Sequence, residues 1–494
     1  MSYTKKAVRS TILVFFMMIL AAGLGYLFRL LLARELTHEE YGLFYAVFAL
    51  ITFLALFRNL GLGEALAKTI PELKIKKDYP RIKGAILFVF VIQLILSFII
   101  SMIIFIFADV IAANYFHSPS VAIVLRIMTL AFFLSSIEYM YGFIFYGFQR
   151  MDFHSLLDFL RTLIILVTTF FLFKFNKSAI MPAYANVIAY VIVILLYIPL
   201  LIKTFPAFFS TRMKFDKKIA KGFVKFGFFI SLGSVGFLVL SYADTLLLTY
   251  FTDLNQVALY NIAVPIVSLL WYFSRSISIV IYPMSSELWA KKHKDFSKGI
   301  ELLQKYSFAI IIPVALVMFS FPDIIIRILF GESYVSAQYA LQILAIGAIF
   351  YTVMNINNNI LIAIGKVKQN TIYLLIGAFF NLLFNFILIP LYGIIGAAIA
   401  TSSSYVLVLI LSSLQINKSV KTRLPWFDWE KSLFSGLIFV SVIMFLKKIL
   451  ELNVWVETGI CVSAAVITYI ALIFILKVVN FQEIKNIVDI TLKK

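Results

Sequence analysis

Apolar residues along the chain neither alternate nor recur as a narrow stripe. They run for about 20 residues at a time, the length a helix needs to cross a hydrocarbon core about 30 Å thick, and stop at short polar breaks. Six such runs lie at 11–32, 42–63, 84–107, 121–148, 156–175 and 180–202. Six more follow at 223–250, 256–283, 303–321, 336–364, 371–390 and 393–415, and two close the series at 432–450 and 455–477. Inside lipid every backbone polar group has to be satisfied within the spanning structure. The pattern therefore predicts an all-α polytopic membrane protein of about 14 transmembrane helices.

The runs repeat. Gly42-Leu43-Phe44 recurs as Ala258-Leu259-Tyr260 at an offset of 216, each opening the second span of its half. Gly147 and Arg150 recur as Gly365 and Lys368 at an offset of 218, and Ala183 and Tyr190 as Ala398 and Tyr405 at 215. Three separated matches at nearly one offset predict two six-helix lobes, residues 1–215 and 216–430, with accessory helices 13 and 14 and a tail at 431–494. An even number of spans per half makes the repeats parallel, with a substrate path between them.

Composition agrees, with 62% apolar and 14% charged residues against about 25% charged in ordinary soluble domains. The net charge of +19 resembles a polyanion binder until it is placed on the map. With the N-terminus inside, 32 of the 43 Lys and Arg fall in inward segments and six in outward loops, and Arg29, Arg58, Arg126, Arg161 and Arg275 fall within spans. Positive residues collect on the cytoplasmic side, so both termini are expected there, in the cell membrane. The charge then faces anionic headgroups, and no nucleic-acid partner is needed. The run after Met1 is read as the first span rather than a cleaved signal, since it is long and carries Arg29. The linker 203–221 mixes Phe205, Phe208, Phe209 and Phe215 with basic residues and is expected on the inner surface; Trp426, Phe427 and Trp429 mark an interface before span 13.

Several chemistries drop out. Cys461 is the sole cysteine, and His38, His117, His154 and His293 lack the i, i+4 spacing of a metal pair, so neither a disulfide nor a metal site is expected. No phosphate-binding loop is present, since Gly365-Lys366 has neither the upstream glycine nor the following hydroxyl. A membrane glycosyltransferase or polysaccharide polymerase needs paired carboxylates or an acidic metal motif outside the bilayer, and only Glu39 and Glu40, in a turn, come near. No enzyme activity and no cofactor are expected.

The phrase Glu39-Glu40-Tyr41-Gly42-Leu43-Phe44 after the first span, Ala243-Asp244 followed by Ala258-Leu259-Tyr260, and the basic turns at Gly147 and Gly365 resemble the polysaccharide transporter family. These oligosaccharide flippases belong to the superfamily that also holds the multidrug and toxin exporters and the lipid II flippase. The resemblance covers nearly the whole chain. It implies a twelve-helix core with a central cavity and two accessory helices, moving a polyprenyl-linked oligosaccharide by alternating access.

Ionisable side chains in a bilayer are unfavourable by at least about 2.5–3.5 kcal/mol each, so they mark wet cavities or partners. At 1.5 Å per residue, Arg58 lies roughly 25 Å from the outer end of its span and Arg275 roughly 28 Å. They are related by the repeat at an offset of 217. Guanidinium groups grip phosphate oxygens bidentately, so the pair are candidates for a diphosphate head; snorkelling to the inner interface is the alternative. The lipid II flippase carries functionally important arginines on helices 1, 2 and 8, and the resemblance matches Arg29, Arg58 and Arg275 to them by helix number and depth.

Arg29 and Asp244, both in the outer third, read as an outer gate or as a static salt bridge. Glu138 is placed to neutralise Arg58 or Arg275, or to carry a coupling proton. Arg126, and Asp158 with Arg161 at i, i+3, read as local pairs. Asn355, Asn357, Asn358 and Asn359 offer hydrogen bonds to sugar hydroxyls, with Asn355 and Asn358 taken as substrate-binding. Interhelical bonds or a broken helix are the alternatives. Asn381 and Asn385 read as packing contacts, and spans 13 and 14 as scaffold or, by the resemblance, as shelter for a lipid tail.

The leading expectation is thus a monomeric flippase that carries a lipid-linked oligosaccharide from the cytoplasmic to the outer leaflet for cell-surface glycan synthesis, in contact with membrane lipids and a coupling ion. An ion-coupled multidrug exporter of the same superfamily is the alternative.

Overall fold

Short polar side chains open helices where the sequence breaks its apolar runs, by accepting from the otherwise unpaired first backbone N–H groups. Thr37 accepts from the Glu40 amide at 3.3 Å, Asp78 from Arg81 at 3.2 Å, Asp216 from Lys218 at 2.8 Å and Asn453 from Trp455 at 3.0 Å. The computed structural model describes residues 3–291 and 296–480. His293, the tail from 481 and the side chains of Lys5, Lys6 and Arg9 lie outside that description. Among the described residues there is no strand, and 14 helices are long and apolar enough to cross a membrane.

The chain divides into two compact units, Met1–Ala258 and Leu259–Lys494. The first carries α1 (Tyr3–Glu35), α2 (His38–Asn59), α3 (Leu62–Ile75), α4 (Tyr79–Ile106), α5 (Ala108–Asn114), α6 (Val121–Gly147), α7 (Met151–Leu172), α8 (Ile180–Thr204), α9 (Ala207–Ser210) and α10 (Lys217–Phe251). The division falls in the first turns of α11 (Leu254–Ala290). The second unit continues with α12 (Phe296–Ser320), α13 (Pro322–Leu329), a 3-10 turn over Glu332–Ala337, α14 (Gln338–Ala363), α15 (Val367–Tyr392), α16 (Ile394–Val420), α17 (Trp426–Ile449) and α18 (Val454–Ile475).

Three features depart from the sequence pattern. First, α10 and α11 run to 35 and 37 residues, longer than their apolar runs; α10 gains its extra turns at an N-terminal end rich in lysine, a good helix former. Second, short helices follow corresponding spans, α5 after α4 and α13 after α12, which extends the repeat into the loops. Third, the asparagine cluster does not break its helix: α14 is continuous from Gln338 to Ala363.

In the first unit α6 is the hub, packed against α2, α3, α4, α7 and α8, while α1 leans on α7. The helix α10 docks against α2 and α3, and glycine makes this close approach feasible. Leu60 and Gly61 both adopt positive φ, 43° and 64°, ending α2 in a sharp turn. A Cβ on Gly61 would stand 2.5 Å from the Gly227 carbonyl oxygen, and one on Gly227 would stand 2.3 Å from that of Leu60. In the second unit α14 and α16 form the centre, with α12 and α15 beside them. The accessory pair packs on α12: the Tyr469 hydroxyl donates to the Ala309 carbonyl at 2.8 Å, and Trp429 stacks near Phe308 at 5.2 Å.

Candidate functional site

Arg58 occupies the last turn of α2, where a cation also complements the helix dipole. Its side chain is not extended to the interface. It is turned into α6 and is 4% exposed. Nη1 donates to the Phe132 carbonyl at 3.0 Å and to Ser135 Oγ at 2.6 Å, and Nε donates to Asn59 Oδ1 at 3.0 Å. The guanidinium lies 4.9 Å from the Phe132 ring centroid and 5.5 Å from that of Tyr139, within cation–π range. Residues 132, 135 and 139 recur at i, i+3 and i+7, so one face of α6 builds the whole seat. Among the described residues no carboxylate is within ion-pair distance of Arg58.

Glu138, 6% exposed on the same helix, takes a different partner from those its depth suggests. Arg161 Nη1 reaches both of its carboxylate oxygens at 3.2 Å, and Arg161 Nη2 donates to Asp158 at 2.8 Å. The i, i+3 pair read from the sequence is present, but its arginine is shared with a buried acid on α6. Tyr190 of α8 lies over Arg161 at 5.9 Å. At the end of this cluster outside the spans, Glu64 in the first turn of α3 sits against Tyr139, with Oε2 buried and unpaired. Burial is the dominant influence on this carboxyl and pushes its pKa up.

Arg29 lies among tyrosines. Its guanidinium is 4.5 Å from the Tyr45 ring centroid, with Tyr41 and Tyr242 also beside it, and its Nη1 is buried without a hydrogen-bond partner. Asp244, 4% exposed on α10, belongs to the same unit, but Arg29 forms no ion pair among the described residues. Arg126 is paired with Asp109 of α5 at 2.6 Å.

In the second unit Arg275 stands exposed on α11, with Tyr351 beside it and no carboxylate within ion-pair distance among the described residues. Tyr351 stacks near Trp271 at 4.8 Å and meets Tyr405 edge-on at 5.0 Å. One turn along, Asn355 donates to Ser274 at 3.3 Å and Asn359 donates to Ser278 at 3.1 Å. Asn357 points the other way: it accepts from Gln304 at 2.8 Å and donates to Ser413 at 2.9 Å, wholly buried between α12 and α16. Asn358 is buried with an unpaired Oδ1. Asn385 donates to Asn381 at 3.0 Å and Asn381 to Thr401 at 3.1 Å, as packing contacts do.

Sequence reading thus missed Arg161 as the partner of Glu138, the Ser135 and Tyr139 seat, the tyrosine shell of Arg29 and the platform of Trp271 and Tyr351. The i, i+3 spacing of Asp158 and Arg161 carried part of that signal. Tyrosines in a chain with 25 of them carried none.

Two family models match the chain. The family described as "Polysaccharide biosynthesis protein" matches residues 7–289, and "MatE" matches 229–387. The chain is 37% identical, over the full length of both, to "Uncharacterized membrane protein MJ1068" of Methanocaldococcus jannaschii. It is 24% identical to "Probable low-salt glycan biosynthesis flippase Agl15" of Haloferax volcanii, covering 97% of this chain and 98% of that one. Its fold is similar to that of the lipid II flippase MurJ in an inward closed conformation, with a TM-score of 0.77 at 17% identity over 93% and 98% of the two chains. An inward-facing multidrug resistance transporter of the MATE family follows at a TM-score of 0.64 and 15% identity, over 82% and 95%.

Proposed function

Because the chain belongs to the polysaccharide biosynthesis protein family and is a multi-pass membrane transporter of the superfamily that holds the lipid II flippase and the MATE exporters, we propose that it flips a lipid-linked oligosaccharide. The cargo is a polyprenyl-(di)phosphate carrying a short glycan, moved from the cytoplasmic to the outer leaflet of the cell membrane, with both termini cytoplasmic. The observation that carries this reading is Arg275: an exposed, unpaired guanidinium inside a span, flanked by Tyr351, Trp271, Asn355 and the α11 serines. Phosphate oxygens suit the guanidinium. Sugar rings suit aromatic faces bordered by amides and hydroxyls.

In this scheme Arg58 is held in reserve. Neutral acceptors and aromatic faces hold it, and movement of α2 away from α6 uncovers it for the diphosphate. Glu138, joined to Arg161, keeps the cluster from accumulating uncompensated charge and is the candidate for ion coupling. Arg29 and Asp244 are the candidate gate, supported by the buried Arg29 Nη1 that has no hydrogen-bond partner.

The test is reconstitution in proteoliposomes with a fluorescent polyprenyl-diphospho-oligosaccharide added to one leaflet, followed by its protection from a membrane-impermeant quencher. Protein-dependent exchange is expected, and glycan-free polyprenyl diphosphate should move more slowly. The MatE match over 229–387 favours the exporter as second reading. Ion-driven extrusion of a cationic dye from the same vesicles, with no exchange of the glycolipid, would establish it instead.

A further inference from the structure

The segment joining α8 to α10 is fixed along α4. The Lys214 amide donates to the Pro80 carbonyl at 3.1 Å, and Lys83 Nζ donates to the Thr211 carbonyl at 3.0 Å. Arg81 reaches Asp216 at 3.1 Å, while the same aspartate caps α10. A Cβ on Gly84 would stand 2.2 Å from the Lys214 carbonyl, so the two backbones touch. Phe205 and Phe223 enter the core at the two ends of the segment, and Phe215 lies against Phe88 at 5.8 Å.

Along this shelf the cations point away from the protein. In α10 Ile219, Phe223 and Gly227 face inward at four-residue spacing, and Lys217, Lys218, Lys221 and Lys225 are exposed, as are Arg212 and Lys214 before them. None of these six side chains makes a hydrogen bond or ion pair among the described residues. The segment's acid, Asp216, is already engaged. Exposed Phe209, Met213 and Val224 stand among the cations. A soluble anionic partner would leave these apolar groups wet, and a zwitterionic lipid would leave the row of cations unanswered.

We propose that this shelf is a binding site for anionic lipid headgroups, phosphates against the row of cations and acyl chains around Phe209, Met213 and Val224. A Lys or Arg close to an anionic surface strengthens association roughly fivefold, and the fixed backbone presents several at once. The site is independent of the transported substrate.

The test uses the full chain in phosphatidylcholine nanodiscs with spin-labelled phosphatidylglycerol, measuring the motionally restricted lipid fraction. The wild type should prefer phosphatidylglycerol over labelled phosphatidylcholine by at least roughly tenfold and lose that preference as salt rises. Lys217→Gln/Lys218→Gln/Lys221→Gln/Lys225→Gln should abolish the preference at unchanged thermal stability, and Lys366→Gln/Lys368→Gln should keep it. A quadruple variant that retains the wild-type preference would overturn the site. So would displacement of the lipid by submillimolar inorganic pyrophosphate, which would mark a pocket for a free phosphate head. Salt titration of the wild type alone decides if the variant fails to fold, since restriction insensitive to salt refutes the proposal.

Discussion

The two arginines related by the repeat sit in opposite circumstances. Arg58 is buried, seated by a carbonyl, a hydroxyl and two aromatic rings, beside an ionic cluster of Glu138, Arg161 and Asp158. Arg275 is exposed, without an ion pair, among aromatic rings, amides and hydroxyls. The first unit therefore holds Arg58 and Arg161 with partners of its own, whereas Arg275 in the second has no carboxylate within ion-pair distance among the described residues. A repeat in sequence is thus not a repeat in electrostatics: one half invests its charge in structure and the other keeps it available.

The strongest way to break this contrast is to remove the buried acid. Glu138→Ala leaves Arg161 with Asp158 as its remaining carboxylate partner, and Asp158 is largely exposed. Losing one partner of a buried pair costs about 3–5 kcal/mol, and the lower end is expected here because Asp158 remains. Thermal unfolding in detergent should show the loss, and Glu138→Ala/Arg161→Met should recover most of it. A single variant as stable as the wild type would mean that the cluster is not structural.

Next come the arginines. Arg58→Ala and Arg275→Ala should each reduce glycolipid exchange by roughly 100-fold, the equivalent of two charge-assisted hydrogen bonds of about 1.5 kcal/mol each. Their stabilities should differ: Arg58→Ala loses about 2 kcal/mol with its seat on α6, while Arg275→Ala stays within about 0.5 kcal/mol. Equal loss of stability in both would erase the distinction between a seated and a waiting cation.

The asparagines sharpen the same point at smaller scale. Asn357→Ala removes a buried link to Gln304 and Ser413 and should cost about 1–2 kcal/mol of stability with little change in substrate selectivity. Asn355→Ala, at the half-buried face beside Arg275, should leave stability nearly intact and lower exchange severalfold for glycan-bearing cargo more than for glycan-free polyprenyl diphosphate. Stability curves and exchange rates on the two cargoes separate these outcomes.

Most of the architecture was legible because each span is dictated locally: 20 apolar residues between polar caps leave few alternatives. The repeat was visible in Gly42, Gly147 and their counterparts for the same reason. The position of each charged residue along its helix was equally plain, but its rotation was not. Arg58 turned toward α6 rather than the interface, and Glu138 found Arg161 on α7, because partner choice depends on helix rotation and long-range packing. The Asn cluster shows the rule in miniature: four polar residues in five positions divide between two faces of one unbroken helix, Asn357 to the core and Asn355 and Asn359 toward α11. Seats built from serine, tyrosine and backbone carbonyls carry no compositional mark at all.

The smallest expected effect concerns Glu64, where the first unit's charge is not fully matched. Its carboxyl is pushed up by burial, so the folded protein binds this proton more readily than the unfolded chain does. A raised acid contributes its stability in full below the ordinary carboxylate range and loses it as pH rises through the folded-state value. Glu64→Gln removes the titration while keeping shape and a donor for the unpaired position. Wild type and variant should therefore melt alike in mild acid, and the variant should melt higher at neutral and alkaline pH. A variant less stable than the wild type at neutral pH would mean that the carboxylate is held by a favourable partner, and that the Arg58 cluster reaches as far as α3.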